Sequence, residues 1–237
     1  MSSNYHAVQN KGFPFTGIEE IARKWRKMFS HYDPRRASQI LSLNYDERFL
    51  YIDYLFSSYR LRLEDGYLEK KLDTPRGKPQ SFDFSDEAKD KWDPYWTEDL
   101  FFNESIVIYH YLYYVKDAPV NSGVFVASNT LEAAGLRANA KDPLLDPFAK
   151  RFEGKLELFI KACENAGGIR IDKGDACYEF HPFPQIPIQI LFWDADEDFG
   201  AQVQALVDKR ITDFVHYETT GCMICDIFER IEKYAAF

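Results

Sequence analysis

The sequence predicts an α+β fold, with antiparallel strands paired in hairpins, helices segregated to one side, and the two kinds of element in mixed order. Three observations predict it. Tyr59, Leu61 and Leu63 alternate with Arg60, Arg62 and Glu64, which gives one buried and one wet strand face, and Asp65-Gly66 is a two-residue hairpin turn into a returning strand at 67–72. Three strand-like segments, 176–181, 186–193 and 202–207, follow one another directly. Helical periods stand apart from both, so the βαβ alternation of a doubly wound sheet is missing.

The elements follow in order. Thr16 and Glu19 have capping-box spacing, and Ile18, Ile21, Trp25, Met28, Phe29 and Tyr32 recur as one apolar stripe. Arg23, Lys24, Arg26 and Lys27 take the other side and read as a solvated face. Asp33-Pro34 has the form of an N-cap and first position for a short second helix. The segment 73–94, rich in Pro, Asp, Lys and Ser, is the long loop; it separates halves 16–72 and 100–237 of a single domain, 1–237. A largely buried helix is expected at 103–115. Another opens at Asp146-Pro147, carries Phe148, Phe152, Leu156, Phe159, Ile160 and Cys163 on one stripe, and ends at Gly167-Gly168. The last helix spans about 218–234.

Composition excludes several classes. An apolar share of 46 % with 16 % aromatics is that of a folding chain, and 237 residues can bury a sizeable core. A net charge of −9 repels phosphate backbones and anionic lipids, so no nucleic acid and no membrane is expected as a partner. No apolar run reaches the ~18 residues of a membrane helix. Residues 1–12 lack a basic-then-apolar export pattern, and four cysteines are too few for a disulfide scaffold, which predicts reduced thiols and the cytoplasm.

Polar groups crowd together from Asp175 to Phe199. Period two puts Cys177, Glu179 and His181 on one strand face, a thiol, a carboxylate and an imidazole, though three groups spread along a strand rarely meet at one ion. Beyond the apolar strand 186–192, Trp193 is followed by Asp194, Asp196, Glu197 and Asp198, whose mutual repulsion a hard cation or hydrogen-bond donors would relieve. A solvated acidic turn anchored by Trp193 and Phe199 is the plainer reading. The ligand-binding candidates are Asp175, His181, Trp193, Asp194, Asp196, Glu197 and Asp198. Cys222 and Cys225 form a lone CxxC at the start of the last helix, a candidate thiol pair if the helix N-terminus lowers their pKa, and otherwise small core residues. His110, among tyrosines, reads as a satisfied core histidine. GxSxG, P-loop, GxGxxG and HExxH signatures are absent.

The order of His110-Tyr111-Leu112, the helix 148–159, Gly167-Gly168, Gly174-Asp175, Ile186-Pro187, Trp193, Asp196-Glu197-Asp198-Phe199 and Leu206-Val207-Asp208 resembles an uncharacterised bacterial and archaeal family, domain of unknown function 3786. The likeness spans the chain from about residue 20. It implies a protein of anaerobic microbes with no established activity. Some relatives carry an appended four-cysteine iron–sulfur domain like that of corrinoid iron–sulfur proteins, which this chain lacks. It also has Gly200 where relatives tend to have proline. The resemblance therefore implies a neighbourhood, anaerobic metal or corrinoid metabolism. Three functions stay open at this point: a non-catalytic binding or accessory protein, a metal-dependent enzyme using Asp175, His181 and the turn 194–198, and a protein-interaction module. The partner would be a small molecule, a metal or a protein.

Overall fold

The computed structural model describes residues 18–76, 93–98, 100, 102–131 and 144–235. Thr16, with the predicted capping box, and most of the 73–94 loop lie outside them. The chain forms two compact units, Gly17–Tyr109 and His110–Phe237. Six helices and nine strands, all strand pairs antiparallel, make the fold α+β among the described residues.

In the first unit α1 (Ile18–Phe29) and α2 (Pro34–Leu41) precede a four-stranded sheet in the order β1 (Phe49–Tyr54), β2 (Ser57–Arg62), β3 (Leu68–Lys71), β4 (Trp96–Thr97). Asp33 caps α2 as expected, its Oδ1 accepting the Arg35 N–H at 3.0 Å. On α1, Phe29 is buried and packs on Tyr109, but Met28 is exposed and Tyr32 lies beyond the helix end. The basic side is partly engaged, with the Arg26 guanidinium over the Tyr67 ring at 4.4 Å.

Two expectations fail in this sheet. The connection after β2 is not a two-residue turn. The Arg62 N–H bonds the Tyr67 carbonyl at 2.8 Å, so Leu63 to Gly66 all belong to the loop. Gly66 is left-handed (φ 73°), and a Cβ there would stand 2.2 Å from the Arg26 carbonyl oxygen. The two-residue hairpin is instead Leu55-Phe56, both with positive φ, between Tyr54 and Ser57, a turn with none of the usual Gly or Asn. Nor is the Arg60 face wet. Arg60 is 8 % exposed, lies 4.1 Å from the Phe49 ring and 4.2 Å from the Trp96 ring, and pairs with buried Glu69. Arg62 joins Asp65, Glu69 and Glu98. A planar, weakly hydrated guanidinium can stack and fork in this way where an ammonium could not.

The helix α3 (Phe102–Tyr114) contributes its first residues to this unit and its last to the second. The second unit is built on a five-stranded sheet in the order β5 (Phe125–Ala127), β9 (Gln202–Asp208), β8 (Ile186–Trp193), β7 (Ala176–Phe183), β6 (Ile169–Ile171). Its inner face pairs Tyr178 with Ile190, Phe180 with Ile188, Phe192 with Val203 and Ile188 with Val207, all buried. Helices α4 (Leu145–Phe152), α5 (Leu156–Asn165) and α6 (Tyr217–Ala235) cover that face. Phe159 stacks on Phe192 at 4.6 Å between ring centroids, and Phe148 on Phe228 at 3.7 Å.

The helix expected from Asp146 to Cys163 is therefore two helices. Gly154, with φ 70°, breaks it, and the shared stripe survives because Phe148, Phe152 and Phe159 still converge. At the end of α5 the expected glycine cap forms: Gly167 is left-handed and the Gly168 N–H reaches the Cys163 carbonyl at 2.9 Å. Among the described residues no helix is long and apolar enough to cross a membrane.

Candidate functional site

Strand alternation places the other face of the five-stranded sheet away from α4, α5 and α6. An antiparallel sheet with one face on the core ordinarily turns polar residues outward. Here the pairing puts Ile169 opposite Glu179, Ile171 opposite Cys177, Leu191 opposite Cys177 and Gln204, Leu206 opposite Gln189 and Ala127, and Phe125 opposite Asp208. Apolar groups thus fill much of this outer face. Ile169 is 57 % exposed, and Ile171, Trp193, Leu206 and Phe125 are half-buried.

Across its middle runs one string of polar contacts. Lys173, from the β6–β7 turn, donates from Nζ to Gln189 Oε1 at 3.0 Å and lies 5.8 Å from the Phe125 ring centroid. Gln189 Nε2 donates to Glu179 Oε2 at 2.9 Å. Glu179 Oε1 lies 3.0 Å from His181 Nε2, and His181 Nδ1 lies 3.3 Å from the Pro184 carbonyl. Gln189 is 4 % exposed, so its amide is held from both sides in a desolvated place where either partner's loss would leave it unsatisfied. Lys173 has no carboxylate within ion-pair distance among the described residues.

The acidic turn lies at the opposite end of β7 from His181. Asp175 Oδ2 accepts the Asp194 N–H at 2.8 Å, and Asp194 Oδ1 accepts from Gly154 and Ala195 at 2.7 and 2.8 Å. Asp196 Oδ1 accepts from Asp198 and Phe199, both at 2.8 Å. These carboxylates close a turn and cap the α4–α5 break by taking backbone donors. Asp175, Trp193, Asp194, Asp196, Glu197 and Asp198 thus share one end of the hairpin, whereas His181, six residues along the chain, is about 20 Å away at ~3.3 Å per strand residue. The structure does not bring His181 to the turn, and one ion cannot span that gap. Among the described residues no group of three or more His, Cys, Asp or Glu is placed to hold a metal ion.

The Domain of unknown function (DUF3786) family matches residues 78–226, more than half of the chain. The chain belongs to the DUF3786 family. The match begins at residue 78, so α1 and the first three strands, included in the broader likeness read from the sequence, stand outside it. No curated protein and no solved structure matches the chain.

Within the DUF3786 span lie the whole outer face, the acidic turn and the CxxC. Leu206-Val207-Asp208 has a structural account. Asp208, 1 % exposed, accepts from Ser122 N and Oγ, Gly123 N and Arg210 N at 2.8–3.1 Å. Burial pushes this carboxyl up, and the four donors outweigh it and hold the pKa below the usual value. His110 Nδ1 sits 2.6 Å from Thr219 Oγ1; burial, with His216 nearby, lowers the ring to about 4.

Cys222 lies in the second turn of α6, and burial, with Asp226 and Glu218 on the same helix face, pushes its thiol up to about 12. The field at that position opposes a thiolate, where a thiol-pair role needs a lowered pKa.

Sequence reasoning singled out Asp175, Trp193 and His181 but not Lys173 or Gln189, the two residues that organise the outer face. The available signal was Gln189 itself, one polar residue inside the otherwise apolar run of β8.

Proposed function

We propose that this chain is a binding or accessory protein whose working surface is the outer face of the β5–β9 sheet. The observation that carries this reading is Gln189, buried and clamped between Lys173 and Glu179 amid apolar side chains. A few fixed polar groups in an apolar surround fit recognition. The acidic-turn carboxylates, each of Asp175, Asp194 and Asp196 already accepting backbone N–H groups, offer less to a metal-dependent reaction. The family resemblance supports a bacterial or archaeal source, an anaerobic cytoplasm and a place beside metallo-cofactor or corrinoid metabolism. The net charge of −9 supports a partner other than nucleic acid.

Two measurements test the reading. Hydroxocobalamin titrated into protein purified without oxygen should quench tryptophan fluorescence saturably, and at least tenfold more weakly in Gln189→Leu. Elemental analysis should find the same metal content in the wild type and in Asp196→Ala/Glu197→Ala. Equal or absent quenching in both proteins contradicts the outer face as a corrinoid surface. Metal lost in the acidic-turn variant would favour the metal-enzyme reading instead.

A further inference from the structure

We propose that the turn between β6 and β7, residues 172–175, is a strap that holds the outer face of the sheet shut, its Lys173 ammonium occupying the place of a ligand's N–H donor. The inference rests on the reading of that face as the binding surface and adds what regulates it. Its first support is where the turn lies. Gly174 is left-handed (φ 57°), and a Cβ there would stand 2.7 Å from Leu191 Cδ1 and 3.3 Å from Trp193 Nε1, so the turn lies flat on the outer side chains of β8. The middle of the face is thereby shut off from water: Leu191 is 7 % exposed, Gln189 4 % and Cys177 0 %.

The second support is how lightly the strap is held. All four of its residues are exposed, and β6, which leads into it, is a three-residue edge strand with Ile169 and Arg170 exposed as well. A segment that buries so little of itself belongs to the low end of local stability. Its base is fixed, since the Asp175 N–H reaches the Phe192 carbonyl at 3.2 Å and Asp175 Oδ2 takes the Asp194 N–H at 2.8 Å. Its tip is latched to the sheet by one bond, Lys173 Nζ to Gln189 Oε1 at 3.0 Å. No carboxylate of the described residues pairs with Lys173, so opening about Asp175 breaks no ion pair.

The third support is what opening uncovers. Gln189 keeps its place when the lysine leaves, because Glu179 Oε2 still accepts from its Nε2 at 2.9 Å. Its Oε1 is then an acceptor without a donor, set among Cys177, Leu191, Leu206 and Phe125. The occupant that fits is an apolar body carrying an amide or ammonium N–H for that oxygen. Lys173 presents the same chemistry from within the chain, an apolar stem ending in N–H donors, and so competes with the ligand for one acceptor. Hydroxocobalamin, whose ring carries primary amides, is a body of this class.

Two readouts on the full chain test the proposal: iodoacetamide labelling of Cys177 at pH 7.5, resolved by peptide mass spectrometry, and hydroxocobalamin affinity from tryptophan fluorescence. Lys173→Met and Gln189→Leu break the same hydrogen bond from its two ends. Both should label Cys177 about tenfold faster than the wild type, with core Cys163 unlabelled in every protein. Hydroxocobalamin should bind about tenfold more tightly to Lys173→Met, because apparent affinity scales with the open fraction, and more weakly to Gln189→Leu, which has lost the acceptor. Gly174→Ala, whose methyl lifts the turn off Leu191, is a second variant and should act like Lys173→Met. Weaker binding to Lys173→Met, or Cys177 labelling at the wild-type rate in both Lys173→Met and Gly174→Ala, overturns the strap and leaves the face as a binding surface. No binding to any of the proteins would overturn that wider reading, and the strap's role with it.

Discussion

Replacing Asp208 gives a graded test of how the second unit is held together. Its Oδ1 accepts three donors, Ser122 N, Ser122 Oγ and Arg210 N, while Oδ2 accepts only Gly123 N. Asp208→Asn can keep Oδ1 in place and orphans one buried N–H against its own amide. One unsatisfied buried donor costs about 1–3 kcal/mol. Asp208→Ala orphans all four donors, partly relieved by water, for roughly 3–5 kcal/mol. Urea unfolding followed by far-UV circular dichroism at pH 7.5 should therefore rank wild type, Asn and Ala in that order with separated midpoints. The carboxyl's folded pKa lies below its ordinary 3.8, so its contribution is present above pH ~4 and is lost as pH falls through the folded value. The gap between wild type and Asn should narrow in that acid range. Equal costs for Asn and Ala, or costs under about 0.5 kcal/mol for both, would refute the four-donor account.

Other outcomes follow from single sites. His110 titrates at about 4 when folded against 6.5 unfolded, so its neutral form stabilises the fold above pH 6.5 and that stability is lost as pH falls toward 4. Wild type should lose about 1–2 kcal/mol relative to His110→Gln over that range, a figure reduced because the half-buried ring is partly screened; a pH-independent difference would count against it. Cys222, with its thiol near 12, should react with iodoacetamide at pH 7.5 at least a hundredfold more slowly in the native than in the urea-unfolded chain. Fast labelling would instead restore the thiol-pair reading. Gly66→Ala places a methyl 2.2 Å from the Arg26 carbonyl at φ 73° and should destabilise by roughly 2–4 kcal/mol, whereas Gly154→Ala, with open space around it, should cost only about 1 kcal/mol. Thermal melts of the two variants check the contrast.

Local chemistry made much of the fold legible. Asp33-Pro34, Gly167-Gly168 and the run 186–193 each carry their signal within a few residues, and each forms as its residue types dictate. Partners distant in sequence were not legible. Arg60 alternates with Tyr59 and Leu61 like a solvent-facing residue, and only the arrival of Glu69 and Trp96 makes its burial tolerable. Gly154 breaks a helical stripe that keeps its period on both sides, because Phe152 and Phe159 reconverge after the turn. Leu55-Phe56 forms a left-handed turn without any residue that favours it.

The site divides the same way. The crowding of acids at 194–198 is conspicuous in the sequence, but the backbone donors that those carboxylates accept are invisible there. Cys177, Glu179 and His181 were correctly placed on one face by period two. Whether that face was polar depended on strands β5, β6 and β9, whose register brings Phe125, Ile169 and Leu206 beside them. Two of those strands are three residues long, too short for periodicity to announce.

The central claim is that the outer face of the five-stranded sheet is the surface that binds a partner. Hydroxyl-radical footprinting with and without saturating hydroxocobalamin, read by mass spectrometry, tests it most directly. Trp193, Leu206 and Phe125 should be labelled several-fold more slowly with the ligand, while exposed Phe56 and Tyr95 keep their rates. Equal labelling of Trp193, Leu206 and Phe125 in both conditions would contradict the claim.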